Sequence, residues 1–173
     1  MAKRLIVVDM QNDFCKPGGV LYSPDAEAII PNIAERCKEY DPGNVWFTMD
    51  SHSPLTYPLS IEGKTLPIHC VRRRADECGR DIVEELAKYA LIVLEKPSFA
   101  YQYWDTCGFN DNDTIELCGT CTDICVVSNA LALRSMFPGA RIIVHADCCA
   151  GTSKEAHEAA LKVMESCLIE VVR

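Results

Sequence analysis

Two kinds of apolar pattern alternate along the chain. Short, nearly continuous runs of aliphatic and β-branched residues occupy positions 5–8, 45–49, 91–94, 114–117, 141–144 and 168–172. Runs of that length without polar alternation suit strands buried on both faces of a parallel sheet. Between most of them, apolar residues recur at helical spacing. Ala28, Ile29, Ile33 and Cys37 make one stripe, and Ile82, Val83, Leu86 and Tyr89 a second. Val126, Val127, Ala130, Leu131 and Met136 make a third, and Ala156, Ala160, Val163, Met164 and Cys167 a fourth. Ser23 or Asp25 around Pro24 supplies a helix start, and Pro138-Gly139 stops the third helix. Thr152 or Ser153, with Glu155 in the first turn, opens the fourth. This alternation predicts one α/β domain over residues 1–173. Its architecture is a three-layer α/β/α sandwich with a mainly parallel sheet of about six strands and right-handed crossovers.

Composition narrows the partners. The net charge of −8 argues against non-specific binding to nucleic acid or to an anionic membrane. Lys3 and Arg4 precede only four apolar residues before Asp9, too few for a secretory segment, and no run approaches transmembrane length. The expectation is a cytosolic protein. Its 11 cysteines then read mostly as reduced, small apolar core residues. Cys118 and Cys121 have the spacing of a redox pair or half a zinc site, but no second such pair exists.

In open α/β sheets the ligand sits beyond the carboxyl ends of the strands. The polar residues at those ends are Asp9, Asp50, His52, Lys96 and the segment from Cys121 to Cys125. Cys125 falls at the start of a helix, where free N–H groups favour a thiolate, and a cation such as Lys96 would lower its pKa further. Asp9 could take its proton and later return it to a leaving group. The same residues also fit a buried thiol beside a structural Asp9–Lys96 ion pair. Asp50 and His52, two apart on an extended segment, share a face and could grip one ion, with His69 completing three ligands. Such a donor set suits Zn²⁺, Fe²⁺ or Mn²⁺, and affinity alone does not choose among them. His145 and His157 read as structural or surface residues.

At this point the motifs resemble a known family. The opening Leu5-Ile6-Val7-Val8-Asp9-Met10-Gln11-Asn12-Asp13-Phe14 is similar to that of isochorismatase-like cysteine hydrolases. Trp46-Phe47-Thr48-Met49-Asp50-Ser51-His52 and Leu66-Pro67-Ile68-His69-Cys70-Val71 resemble the metal segments of its nicotinamidase branch. Glu95-Lys96-Pro97-Ser98-Phe99 resembles the catalytic-lysine motif. Gly119-Thr120-Cys121-Thr122-Asp123-Ile124-Cys125-Val126 resembles the nucleophile motif. The resemblance implies Asp9 as general acid/base, Lys96 as electrostatic partner and Cys125 as nucleophile. It also implies a cis peptide before Cys121 that aims the N–H groups of Cys121 and Cys125 at an oxyanion. Asp50, His52 and His69 would hold the metal. Phe14 and an aromatic of the 99–104 loop, Phe99 or Trp104 foremost, would pack on a substrate ring.

The implied reaction is nicotinamide hydrolysis through a thioester, and homo-oligomers are common in the family. Another small amide, ureido or enol-ether substrate is the alternative, and a non-catalytic binding or redox module a third reading. The metal triad favours the first, because isochorismatase-type members generally lack it. One departure bears on substrate. Where many relatives carry a glycine-rich stretch, this chain has Arg72-Arg73-Arg74. That loop is either a solvated basic turn or subunit contact, or a recognition element for an anionic substrate.

Overall fold

A computed structural model of the protein describes residues 2–71 and 78–173. All six apolar runs are strands: β1 (Lys3–Val8), β2 (Val45–Asp50), β3 (Ile92–Lys96), β4 (Thr114–Thr120), β5 (Arg141–Ala150) and β6 (Glu170–Val172). They form one sheet in the order β3-β2-β1-β4-β5-β6, with every neighbouring pair parallel. Leu5, Ile6, Val7 and Val8 of the central β1 are wholly buried. Burying each such side chain contributes about 1.5–3 kcal/mol.

Several strands run past their apolar seeds at the carboxyl end. β2 takes in Asp50, β3 ends at Lys96, and β5 continues from Val144 to Ala150 across an irregularity opposite Leu117 and Gly119. Hydrophobic patterning does not mark these residues; the ladder holds them. Asp50 pairs in register with Lys96, and Thr120 with Ala150.

The helices are α1 (Asn12–Cys15), α2 (Pro24–Ala28), α3 (Ile30–Cys37), α4 (Ile61–Thr65), α5 (Glu84–Ala87), α6 (Val127–Met136) and α7 (Lys154–Ser166). Contacts pair α3 with α5 and α6 with α7. The right-handed crossovers of parallel strands place the two pairs on opposite faces. Two helical stripes are shorter than their spacing predicts. The first breaks at Ile29, because Pro31 has no N–H to continue the ladder and its ring crowds the preceding turn. The second shrinks to the single turn α5. Ile82 instead bridges to Gln11, and Val83 N–H donates to Met10 O. Ser153 is the cap of α7, its hydroxyl accepting from Ala156 N–H, and Ser23 occupies the cap position of α2 without a side-chain bond.

Strand order reverses between β1 and β4, and the crevice there is the usual ligand position of a doubly wound sheet. Gly119 sets how closely the two strands approach. Its φ is +120°, and a Cβ would lie 2.1 Å from Val8 O. Gly119→Ala is therefore expected to destabilise the fold by about 3 kcal/mol or more, since both backbone and neighbour oppose it. Urea denaturation measures this, and a variant of wild-type stability would contradict the packing described.

A polar cluster lies mid-sheet. Buried Glu116 of β4 meets Lys3 at 3.0 Å and His145 at 2.5 Å. Burial pushes its pKa up, but His145 and Lys3, with the Tyr40 hydroxyl nearby, outweigh that and hold it at about 2, below the usual 4.5. Its stabilisation is complete above the ordinary carboxylate pKa and drains away as pH falls through about 2. Glu116→Gln should cost about 2 kcal/mol at neutral pH. It should also flatten the acid loss of melting temperature in that window. An equally steep loss would show that other groups carry it.

Candidate active site

The rim of the sheet gathers the residues singled out by position. Asp9 follows β1 with a φ of +51°, a left-handed conformation that aspartate tolerates better than most residues. Thr48 Oγ1 donates to Asp9 Oδ1 at 2.7 Å, and Lys96 Nζ sits 2.6 Å from Asp9 Oδ2. The same ammonium lies 3.5 Å from Cys125 Sγ, donates to Ser98 O at 3.1 Å and is 3.7 Å from Asp50 Oδ1. Cys125 belongs to a π-helical turn, Thr122–Val126, that leads into α6. The Thr120–Cys121 peptide is cis. Asp9 and Lys96 are wholly buried, and Cys125 nearly so.

Burial governs the charges. It would lower the Lys96 pKa, yet Asp9, Cys125 and Asp50 together raise it above the ordinary lysine range, so the ammonium is fixed. Burial pushes the Asp9 carboxyl up against the pull of Lys96. It also pushes the Cys125 thiol well up, with Asp9 adding to the effect. This corrects the expectation that a helix start and Lys96 lower that thiol's pKa. Lys96 does lower it, but desolvation and the facing carboxylate win. The site sets the Cys125 thiol against the buried Lys96–Asp9 pair.

Next to it, Asp50, His52 and His69 converge. His52 Nε2 and His69 Nε2 lie 2.9 and 3.2 Å from Asp50 Oδ2. Glu62 of α4 joins them, 3.7 Å from each Nε2, and one donor atom from each of the four lies within 4.8 Å of the others. Pro67 O holds His69 Nδ1 at 2.8 Å, which fixes the proton there and leaves Nε2 to face the cluster. Burial would raise the Asp50 pKa, but the two imidazoles beside it and the charge of Lys96 hold it well below the carboxylate range. A buried carboxylate, a half-buried one and two buried imidazole nitrogens drawn together within 4.8 Å fit a divalent cation.

A cleft of ≈ 250 Å³ joins the two clusters, with Phe14, Phe99, Cys121 and Cys125 among its walls and Asp50, Glu62 and His69 at one end. It is smaller than the roughly 300–1,000 Å³ typical of drug-sized ligands. Trp104 does not line it. That side chain is wholly buried, donates Nε1 to Asn129 Oδ1 at 3.1 Å and packs on Tyr101 and Phe109. The expectation that Trp104 meets substrate is thus corrected: its indole N–H finds its partner in the core. Arg72, Arg73 and Arg74 lie outside the described residues.

Three residues of the site escaped the sequence reading. Glu62 was legible only as first-turn acid after a helix cap, Ser60, whose hydroxyl accepts from Gly63 N–H. Thr48 looked like any strand residue. Gln11 clamps Asp50, accepting from its N–H at 2.8 Å and donating to its carbonyl at 2.9 Å, and nothing in its spacing signals that.

A family model for the isochorismatase domain matches residues 3–173. The chain belongs to the isochorismatase family. This isochorismatase-like hydrolase is similar in structure to the pyrazinamidase of Pyrococcus horikoshii in complex with zinc, at 26% identity and a TM-score of 0.81 over 100% of this chain and 99% of that one. It is also similar to the pyrazinamidase/nicotinamidase of Streptococcus mutans UA159, at 26% identity and a TM-score of 0.84 over 99% and 100%. The N-carbamoylsarcosine amidase of Thermoplasma acidophilum shares the fold at 25% identity and a TM-score of 0.77, over 100% and 96%. No curated protein sequence matches. No helix among the described residues is long and apolar enough to cross a membrane.

Proposed function

We propose that this isochorismatase-like hydrolase is a metal-assisted cysteine amidohydrolase whose substrate is nicotinamide. Amide hydrolysis is supported by the family and by neighbours that are pyrazinamidases and nicotinamidases. The observation that carries the substrate reading is the junction of the cleft: a thiol with its acid/base pair on one side, a two-histidine, two-carboxylate cluster on the other, and Phe14 and Phe99 between. Phe14 and Phe99 on the cleft walls favour a flat aromatic amide.

Asp50, His52, Glu62 and His69 would hold the cation, zinc by preference. When bound it supplies a Lewis-acidic point for a ring nitrogen and so orients the substrate. The remaining steps belong to the chain's own residues. Asp9, which acts on the Cys125 thiol across the shared Lys96 ammonium, takes its proton as sulfur attacks the amide carbonyl. Lys96, fixed in charge, offsets the developing thiolate at 3.5 Å. The N–H groups of Cys121 and Cys125 receive the oxyanion. Asp9 returns the proton to the nitrogen, ammonia departs, and a thioester remains on Cys125. Asp9 then takes a proton from water, which attacks the thioester and releases nicotinate. The thiolate leaves and recovers its proton.

Ammonia release from nicotinamide tests the reading, with an N-carbamoyl amino acid as the competing substrate. Nicotinamide should be turned over at a kcat/KM at least about 10²-fold higher, the margin a mismatched polar group commonly produces. Chelation should stop turnover, and Zn²⁺, Fe²⁺ or Mn²⁺ should restore it. Turnover that survives full metal removal, or preference for the anionic compound, would overturn the substrate assignment.

A further inference from the structure

One buried carboxamide ties the nucleophile to the loop that carries Phe99. Asn129 lies on α6, one helical turn after Cys125, and is wholly buried. Helical side chains lean toward the helix N-terminus, so its amide returns over the turn that carries the thiol. All of its hydrogen-bonding capacity is used. Nδ2 donates to Cys125 O at 2.8 Å and to Phe99 O at 3.1 Å. Oδ1 accepts from Tyr101 N–H at 2.9 Å and from Trp104 Nε1 at 3.1 Å. Toward the loop the carboxamide behaves as a peptide unit in a ladder, accepting from residue 101 and donating to residue 99. Lys96 holds the preceding carbonyl, Ser98 O. Phe99 itself has no such anchor in its ring, which lines the cleft while 43% exposed. Its placement over the cleft is set by its backbone, and its backbone is set by Asn129.

We propose that Asn129 is a positioning residue that fixes Phe99 at its distance from Cys125 and so sets the enzyme's selectivity for flat, aromatic acyl groups. The proposal rests on Cys125 as nucleophile and Phe99 as a wall of the substrate cleft. It does not depend on nicotinamide being the substrate. A purely structural asparagine would lower stability alike for every ligand. A positioning one discriminates between ligands that use the Phe99 face and ligands that do not.

The test uses two alkylating probes on the whole protein, iodoacetamide and its N-phenyl derivative, with the Cys125 peptide followed by mass spectrometry. The ratio of their rate constants reports the aromatic clamp and cancels any change in thiol reactivity. Asn129→Asp keeps the shape but turns both donated bonds into contacts between oxygens. It should cut the N-phenyl preference at least fivefold. Phe99→Ala should cut it equally, and the double variant no further, because both changes remove one effect. Should Asn129→Asp not fold, Asn129→Ser takes its place: its hydroxyl can still donate to Cys125 O one turn back, but it no longer reaches Phe99 O, and it adds no charge. An unchanged ratio in the Asn129 variant, or a double variant whose loss is the product of the two single losses, would overturn the proposal.

Discussion

Lys96→Met is expected to cost about 3–5 kcal/mol of stability and to stop turnover. The ammonium is wholly buried and meets Asp9 Oδ2 at 2.6 Å, so its removal strands a carboxylate that is itself wholly buried. Asp9 can escape only by taking up a proton, to which burial already inclines it, and a protonated Asp9 no longer serves as base. Stability and activity therefore fail together but for separable reasons. Asp9→Asn in the same chain removes the stranded charge and should recover most of the stability with none of the activity. Urea titration of the single and double variants decides this. A single variant as stable as the wild type would mean that the pair is not held in a dry site.

Cys125→Ala is the second large effect, and it is confined to catalysis. Ammonia release should fall by on the order of 10⁴-fold or more, because Cys125 is the thiol that faces Lys96 and Asp9. The fold should survive: the thiol is small, and the helix that follows it is held by other side chains, Ala130 and Leu133 among them. Cys125→Ser should be nearly as inactive, since a hydroxyl in this desolvated position ionises still less readily than the thiol. Melting temperatures near that of the wild type, with turnover gone, are the expected pair of results.

These effects trace back to residues whose placement was readable before any coordinates. Six apolar runs fixed six strands, and their carboxyl ends placed Asp9, Asp50, Lys96 and Cys125 on one rim. The parallel sheet makes that inference secure, because every strand points the same way. Less was legible where side chains reach across the sequence. Glu62 sits on a one-turn helix in an irregular stretch and meets the metal cluster only through tertiary folding. Asn129 lies on the buried face of an otherwise ordinary helix, and its bonds to residues 99, 101 and 104 have no counterpart in spacing. Trp104 misled for the converse reason. Aromatic residues cluster in that loop, and composition cannot say which ring turns inward. The Cys125 thiol misled because helix position is a local signal, whereas burial against Asp9 is not.

The most direct measurement is to quench the enzyme rapidly during nicotinamide turnover and examine the peptide that carries Cys125 by mass spectrometry. The account predicts a nicotinoyl thioester on that cysteine, formed with the first burst of ammonia and absent from Cys125→Ala. Ammonia release that continues in Cys125→Ala, with no acyl group on any cysteine of the wild type, would contradict it.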